Sequence, residues 1–279
     1  MLGHLYLLSS LAMLLWMTSA HATGDDYPMQ AEQVAADVYA IITPTRELPN
    51  AQNRGWNSNS AFIVTGEGVL LFDSGSSVEI GQAIRDTVAG ITEQPVRWII
   101  NSHAHGDHWL GNAAFKDSVE QIYASTQVKQ AIRIGGSSWV DRFKRMTRGA
   151  TGDSEILLPT TTIDKPQILN LGTKIIEVFP SANSHSPGDL LLWLPGQKVL
   201  ISGDVVYSDR MPSTNASNLA QWIDTLQQLQ ALQPEVVIPG HGAVADIQAL
   251  VRLENLLTAL WQAVSEAYEE GLSDFETAG

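Results

Sequence analysis

The chain has 279 residues, of which 44 % are hydrophobic and 16 % charged, with a formal net charge of −14 at pH 7. That balance excludes a disordered chain, and so acidic a surface repels phosphate backbones and argues against a nucleic-acid partner. The absence of cysteine excludes disulfides, thiolate metal ligands, a catalytic thiol and a lipoprotein anchor.

Residues 1–22 contain no Lys, Arg, Asp or Glu and are largely apolar from Leu5 to Met17. Ala20 and Ala22 then supply small residues at the two positions that a signal peptidase reads. The stretch is too short for a membrane span and has the pattern of a signal peptide, although no Lys or Arg precedes its apolar core. Residues 23–279 show no repeat, linker or further apolar stretch of membrane length. They are expected to form one domain, periplasmic or secreted, with no stable membrane insertion after cleavage.

Within that domain the first clear signal is a hairpin from Ala61 to Phe72, turning at Gly66-Glu67-Gly68. Asp73-Ser74-Gly75 closes it, and a helix-like stretch follows from about Val78 to Val88. Val96 to Ile100 is a short apolar strand running into a polar loop at Asn101. Further strands are expected at Lys174 to Phe179, Leu190 to Leu194 and Val199 to Ile201, with Pro195-Gly196 turning between the last two. Leu219, Trp222, Ile223, Leu226 and Leu229 share one helical face, with Ser217 as the N-cap and Pro234 as the stop. Val236 to Ile238 reads as a buried strand, and Ile247 to Tyr268 as a long amphipathic helix. Strands alternating with helices, and no Gly-rich phosphate loop, indicate a layered α/β domain.

Of the seven histidines only His4 and His21 precede residue 23. The other five, His103, His105, His108, His185 and His241, each lie in a loop-like segment just after an expected strand. Three sit in the run His103-Ala104-His105-Gly106-Asp107-His108. Imidazole nitrogens and carboxylate oxygens are both good ligands for zinc at neutral pH. A tight loop offering His, His, Asp and His within six residues can aim side chains at two neighbouring points, with Gly106 easing the turn. Structural histidines alone would leave their confinement to strand ends unexplained.

This run resembles the His-x-His-x-Asp-His signature of the metallo-β-lactamase superfamily. The later landmarks follow in family order: His185 in Asn183-Ser-His-Ser-Pro-Gly-Asp189, Asp204 in Ile201-Ser-Gly-Asp204, and His241 in Pro239-Gly-His241-Gly242. Asp73-Ser74-Gly75 is similar to the family's Asp-containing turn after the early hairpin. The resemblance spans about residues 32 to 262 and implies an αββα sandwich with metals at one edge between two sheets. It places His103, His105 and His185 on a first metal, Asp107, His108 and His241 on a second, and Asp204 between both. Asp73 would orient the ligand loop by accepting a hydrogen bond.

The implied cofactor is two Zn2+ per chain, with iron or manganese as alternatives. The implied chemistry is attack by a bridging hydroxide on a carbonyl ester, thioester or lactam, with Asp107 orienting the nucleophile and passing its proton. Asp204 stands where the largest group of zinc β-lactamases has a cysteine, a pattern similar to glyoxalase-II-like thioesterases. Other stretches, such as Leu190 to Pro195, look more like the lactamase branch, so β-lactam hydrolysis stays open. From another class, persulfide dioxygenases of this superfamily use one iron, which here would sit on His103, His185 and Asp204.

The substrate is expected to be a small molecule, and an anionic one fits two loops. Pro44 to Asn59 could form a flap bearing Trp56, and Arg210 could pair with a substrate carboxylate. Five basic residues, Arg133, Arg142, Lys144, Arg145 and Arg148, lie close to Trp139 and Phe143. They form either a lid helix that attracts anions or a solvated helical face. Nothing in the sequence indicates an oligomeric state.

Overall fold

The computed structural model describes residues 27–181, 183–273 and 276; the expected signal peptide lies outside the described residues. Twelve strands among them form two sheets. The first contains β1 (Ala31–Ala35), β2 (Val38–Ile41), β3 (Ser60–Val64), β4 (Val69–Phe72), β5 (Val96–Ile100), β6 (Gln121–Ala124) and β7 (Thr161–Thr162), side by side in chain order. The second contains β8 (Gln167–Leu171), β9 (Lys174–Pro180), β10 (Leu190–Leu194), β11 (Val199–Tyr207) and β12 (Val236–His241), also in chain order.

The apolar runs that marked the strands are continuous because both faces of each sheet are covered. Successive side chains point to opposite faces, so each run divides between two cores. From β3, Ala61 and Ile63 face the second sheet, while Phe62 turns to the outside; from β10, Leu190, Leu192 and Leu194 face inward, while Leu191 and Trp193 turn out. The core between the sheets joins these to Leu70, Phe72, Ile100, Val178 and Ile201. Outside the first sheet, Ile80, Ala83, Ile84 and Val88 of helix α1 (Val78–Ala89) cover Phe62, Leu71 and Ile99.

A four-residue turn of helix, α2 (Gly106–Trp109), and the long α3 (Thr126–Met146) close the same side, with Trp109, Leu110, Val128, Ile132 and Phe143 in a core of their own. Outside the second sheet, α4 (Leu219–Ala231) and α5 (Ile247–Glu269) set Trp222, Leu226, Leu250, Leu253 and Leu257 on Leu191, Leu200 and Val237. The layers are therefore α, β, β, α, as the family resemblance implied.

Helix starts follow the preference for short polar caps. Ser77, Ser125, Asn218 and Asp246 each accept a hydrogen bond from the first turn of α1, α3, α4 and α5. Asn218 corrects the expected cap of α4: Ser217 instead donates to the Thr214 carbonyl at 2.8 Å. The strand expected to end at Ile201 continues to Tyr207, with irregular register after Ile201 and after Gly203.

Strand direction decides where the functional loops emerge. β4 and β5 are parallel, as are β11 and β12, and β9 runs antiparallel to β10, which is antiparallel to β11. The C-terminal ends of β9, β11 and β12 therefore lie at one end of the second sheet. The two sheets are tied together there: Leu190 N–H donates to the Ser102 carbonyl and Asn59 N–H to the Gly240 carbonyl, both at 2.8 Å. Asn59 Nδ2 adds bonds to the Pro239 and Gly242 carbonyls at 2.9 and 2.8 Å.

Candidate metal centre

At this tied edge the five histidines, Asp107 and Asp204 converge from four separate segments. His103 and His105 follow β5, and Asp107 and His108 occupy α2. His185 follows β9, Asp204 lies inside β11, and His241 ends β12. Four positions thus differ from the expected loops: Asp107 and His108 sit in a helical turn, Asp204 lies inside a strand and His241 is the last residue of one. Gly106 is not among the glycines with positive φ. Its role is spatial, because a Cβ there would press on Leu110 and Trp139 at 3.0–3.1 Å. Gly240 is needed for close approach, since a Cβ would collide with Asp204 Oδ1.

The seven side chains fall into two groups. Ligand-type atoms of His103, His105, His185 and Asp204 all lie within 4.8 Å of one another, and so do those of Asp107, His108 and His241. In the first group His105 Nδ1 is 2.9 Å from His103 Nε2 and 3.0 Å from His185 Nε2. In the second, Asp107 Oδ2 is 3.7 Å from His108 Nε2 and 3.6 Å from His241 Nε2.

Asp204 stands between the groups. Its Oδ2 is 3.7, 3.5 and 3.3 Å from Nε2 of His103, His185 and His241, and its Oδ1 is 3.3 Å from His108 Nε2. Ligands at about 2.0–2.1 Å around a tetrahedral cation are themselves separated by about 3.3 Å. The nitrogen–oxygen separations are close to that spacing.

Two further observations fit cations at this place. His108 Nε2 and Asp204 Oδ1 are fully buried and have no hydrogen-bond partner among the described residues, a costly state for polar atoms unless something coordinates them. The outer nitrogens of four of the five histidines are occupied. His108 Nδ1 faces Asp73 Oδ2 at 2.7 Å and His103 Nδ1 faces Ser102 Oγ at 2.9 Å. His185 Nδ1 faces the Ser213 carbonyl at 3.2 Å and His241 Nδ1 the Asn57 carbonyl at 2.7 Å. Each carbonyl or carboxylate can accept only from an N–H, which leaves the Nε2 lone pair of that ring pointing into the centre. Ser102 Oγ donates to Asp73 Oδ2 at 2.7 Å, so it too accepts from His103. Asp73 also accepts from Ser102 N–H at 2.7 Å, and so ties the ligand loop to the end of β4.

Electrostatics sort the same residues. Burial disfavours ionised Asp204, but His241, His108 and His103 outweigh it and hold the carboxyl well below its ordinary value. Asp107 is likewise lowered, with His108 and His241 overcoming its burial. Burial pushes His103 and His105 down, and His185 down to about 4. His108 moves the other way: Asp204, Asp107 and Asp73 overcome its burial and raise it to about 10. The site therefore offers anionic oxygens and mostly neutral imidazoles, the donor set of a divalent cation.

A cavity of about 290 Å³ opens onto the centre. His105, Asp107, Asp204, Tyr207 and His241 form its floor, and α3 contributes Trp139, Arg142, Phe143 and Met146 along one wall. Arg142 lies over the Trp139 ring, 4.9 Å from its centroid, and Trp139 meets His105 edge-on at 5.5 Å. Of the basic cluster, then, Arg142 reaches the cavity, whereas Lys144 pairs with exposed Asp153 at 2.7 Å. Arg210 also lines the cavity, with Nη1 3.0 Å from His241 Nδ1.

Trp56 does not line it. Only 7 % exposed, Trp56 packs with Tyr27, Ile41 and Phe62 outside the first sheet. The loop around it is laced by Asn50 and Asn53, and its end is buried at Asn57, Ser58 and Asn59. Leu48, Pro49 and Asn57 of that loop, not Trp56, reach the cavity. No sequence signal marked Asn57, whose Nδ2 donates to Asp107 Oδ2 at 2.9 Å, or Ser102, Ser213 and Tyr207. None belongs to a residue type or spacing that marks a site.

The family model described as the metallo-beta-lactamase superfamily matches residues 53–241. The chain belongs to this superfamily. Among its superfamily relatives is a linear primary-alkylsulfatase from Pseudomonas sp. (strain ATCC 19151), 26 % identical over 73 % of this chain. The chain spans only 44 % of that enzyme's length. A hydroxyacylglutathione hydrolase from Rhodobacter capsulatus is 31 % identical over 53 % of this chain and 51 % of its own. The structure of a metallo-beta-lactamase from Pontibacter korlensis superposes with a TM-score of 0.67 at 20 % identity, covering 82 % of this chain and 99 % of that one. That likeness shows the superfamily fold.

Proposed function

We propose that this chain is an exported hydrolase that holds two zinc ions and cleaves a carbonyl ester, thioester or lactam in a small, anionic substrate. The observation that carries the reading is Asp204, whose Oδ2 lies between histidines of both converging sets and whose buried Oδ1 faces His108 with no other partner among the described residues. His103, His105 and His185 would hold one ion, Asp107, His108 and His241 the other, and Asp204 both. A pair of divalent cations supplies Lewis acidity and lowers the pKa of a shared water towards neutrality.

The chain's own groups do the rest. Asp107 is held ionised by His108 and His241 against its burial, and its Oδ2 is steadied by Asn57. It is placed to take a proton from attacking water and deliver it to the leaving group. Arg210 and Arg142 give the cavity positive charge in an acidic protein, suited to a carboxylate or another anion. Trp139, Phe143, Met146 and Leu48 offer an apolar wall for the rest of the substrate. The hydroxyacylglutathione hydrolase relative supports a thioester, and the alkylsulfatase adds sulfate esters to the candidates. The second group of ligands is complete, as a two-metal hydrolase requires, and metal content with oxygen uptake separates it from a single-iron oxygenase.

The test is turnover by the purified mature protein of a panel of thioesters, lactones, β-lactams and alkyl sulfates, before and after chelation. Hydrolysis that chelation abolishes and zinc restores is the expected result. Oxygen uptake with an iron-loaded protein, and no hydrolysis, would overturn the reading.

A further inference from the structure

Tyr207 ends β11 three residues after Asp204. In a regular strand, residues three apart point to opposite faces. Here the register irregularity between Gly203 and Tyr207 breaks that alternation, and both side chains reach the same cavity. The Tyr207 hydroxyl donates to Asp204 Oδ2 at 2.6 Å. Its ring lies nearly parallel to that of His241, with centroids 5.3 Å apart, and 5.9 Å from that of His185. One buried phenol therefore touches a histidine of each group and the carboxylate between them.

We propose that Tyr207 is a positioning residue that fixes the turn of the Asp204 carboxylate, so that Oδ2 lies between the two groups and Oδ1 faces His108. This rests on the two-metal reading above. The terminal torsion of a carboxylate is broad and two-fold, so the side chain by itself does not distinguish its oxygens. The hydroxyl does. It pins Oδ2, the oxygen nearest His103, His185 and His241, and leaves Oδ1 directed at His108 with no other partner. Without that bond Asp204 is free to turn, and Oδ1 is no longer held towards His108. Groups that orient a metal ligand in this way are typically worth about 10- to 100-fold in affinity.

The experiment is zinc titration of metal-free wild-type and Tyr207→Phe proteins in competition with a chromophoric chelator, paired with the absorption spectrum of the cobalt(II) forms. Phenylalanine keeps the ring and its contacts with His241 and His185 and removes only the donor. The variant should retain the wild-type circular dichroism, bind one equivalent nearly normally and the other about 10- to 100-fold more weakly, and show an altered cobalt spectrum. Installing p-aminophenylalanine at position 207, which restores a donor on the same ring, should recover both affinity and spectrum.

Wild-type zinc affinities and an unchanged cobalt spectrum in Tyr207→Phe would overturn the proposal. So would an amino analogue no better than phenylalanine, or a Tyr207→Phe protein that cannot fold, since either would assign the residue to packing. Failure of the wild-type protein itself to bind metal would instead overturn the two-metal reading on which the proposal stands.

Discussion

Replacing Asp73 by Asn exchanges one oxygen for an amine, yet three hydrogen bonds depend on that carboxylate. Asp73 accepts from Ser102 N–H, from Ser102 Oγ and from His108 Nδ1, each at 2.7 Å, in a fully buried position. An Asn side chain keeps one acceptor oxygen and has an NH2 that can only donate in place of the other. Its oxygen must stay on the Ser102 amide, which can only donate, so its NH2 faces His108 Nδ1. To avoid two donors meeting, His108 must give up its Nδ1 proton and keep the one on Nε2, the atom that faces Asp204 and Asp107.

Breaking a buried ion pair costs about 3–5 kcal/mol, and the new neutral hydrogen bond returns about 1 kcal/mol. The metal-free variant should therefore be less stable by about 2–4 kcal/mol in urea unfolding. Because Nε2 no longer offers a lone pair, zinc affinity should also fall about 10- to 100-fold in chelator competition, or about 1.4–2.8 kcal/mol. Long-range nitrogen–proton NMR of the histidines reports the tautomer directly. A variant that keeps the His108 Nδ1–H tautomer and wild-type zinc affinity would refute this account of Asp73.

Three other outcomes follow from the same geometry. His103→Ala removes a nitrogen that no other residue replaces; metal content should drop and hydrolysis vanish, and unchanged turnover would remove His103 from the centre. Arg210→Ala should raise KM for anionic substrates while sparing neutral analogues, and an equal effect on both would leave no carboxylate-reading role. Zinc loading should release a proton. Burial works against a charged His108, but Asp204, Asp107 and Asp73 raise its pKa to about 10. Below that value the metal-free protein holds the proton and the loaded protein does not, so apparent affinity rises with pH by about tenfold per unit from this group and levels off above about pH 10. An indicator dye in weak buffer at neutral pH reads the release, and its absence would contradict the assignment of His108.

The parts of the molecule legible in the sequence share a physical cause. β3, β4, β5, β10 and β12 are buried on both faces, so they stand out as apolar runs. The edge and near-edge strands β1, β7 and β8 have exposed, polar or very short sequences and carry no such signal. The histidines and Asp204 were legible because metal chemistry restricts the residue types that can serve. Their supports were not. Asn57, Ser102, Ser213 and Tyr207 act through single hydrogen bonds, often across long stretches of chain, and any loop contains residues like them. Trp56 shows the converse: an aromatic in a polar loop suggested a substrate contact, but asparagine bonds fold that loop back and bury the ring.

The most direct test of the centre is elemental analysis of the protein purified without chelators or added metal. Bound zinc at about two ions per chain, falling to about one or fewer in His103→Ala, is the result expected of this two-site arrangement. A fully folded wild-type protein that holds no divalent metal and takes none up on titration would contradict it.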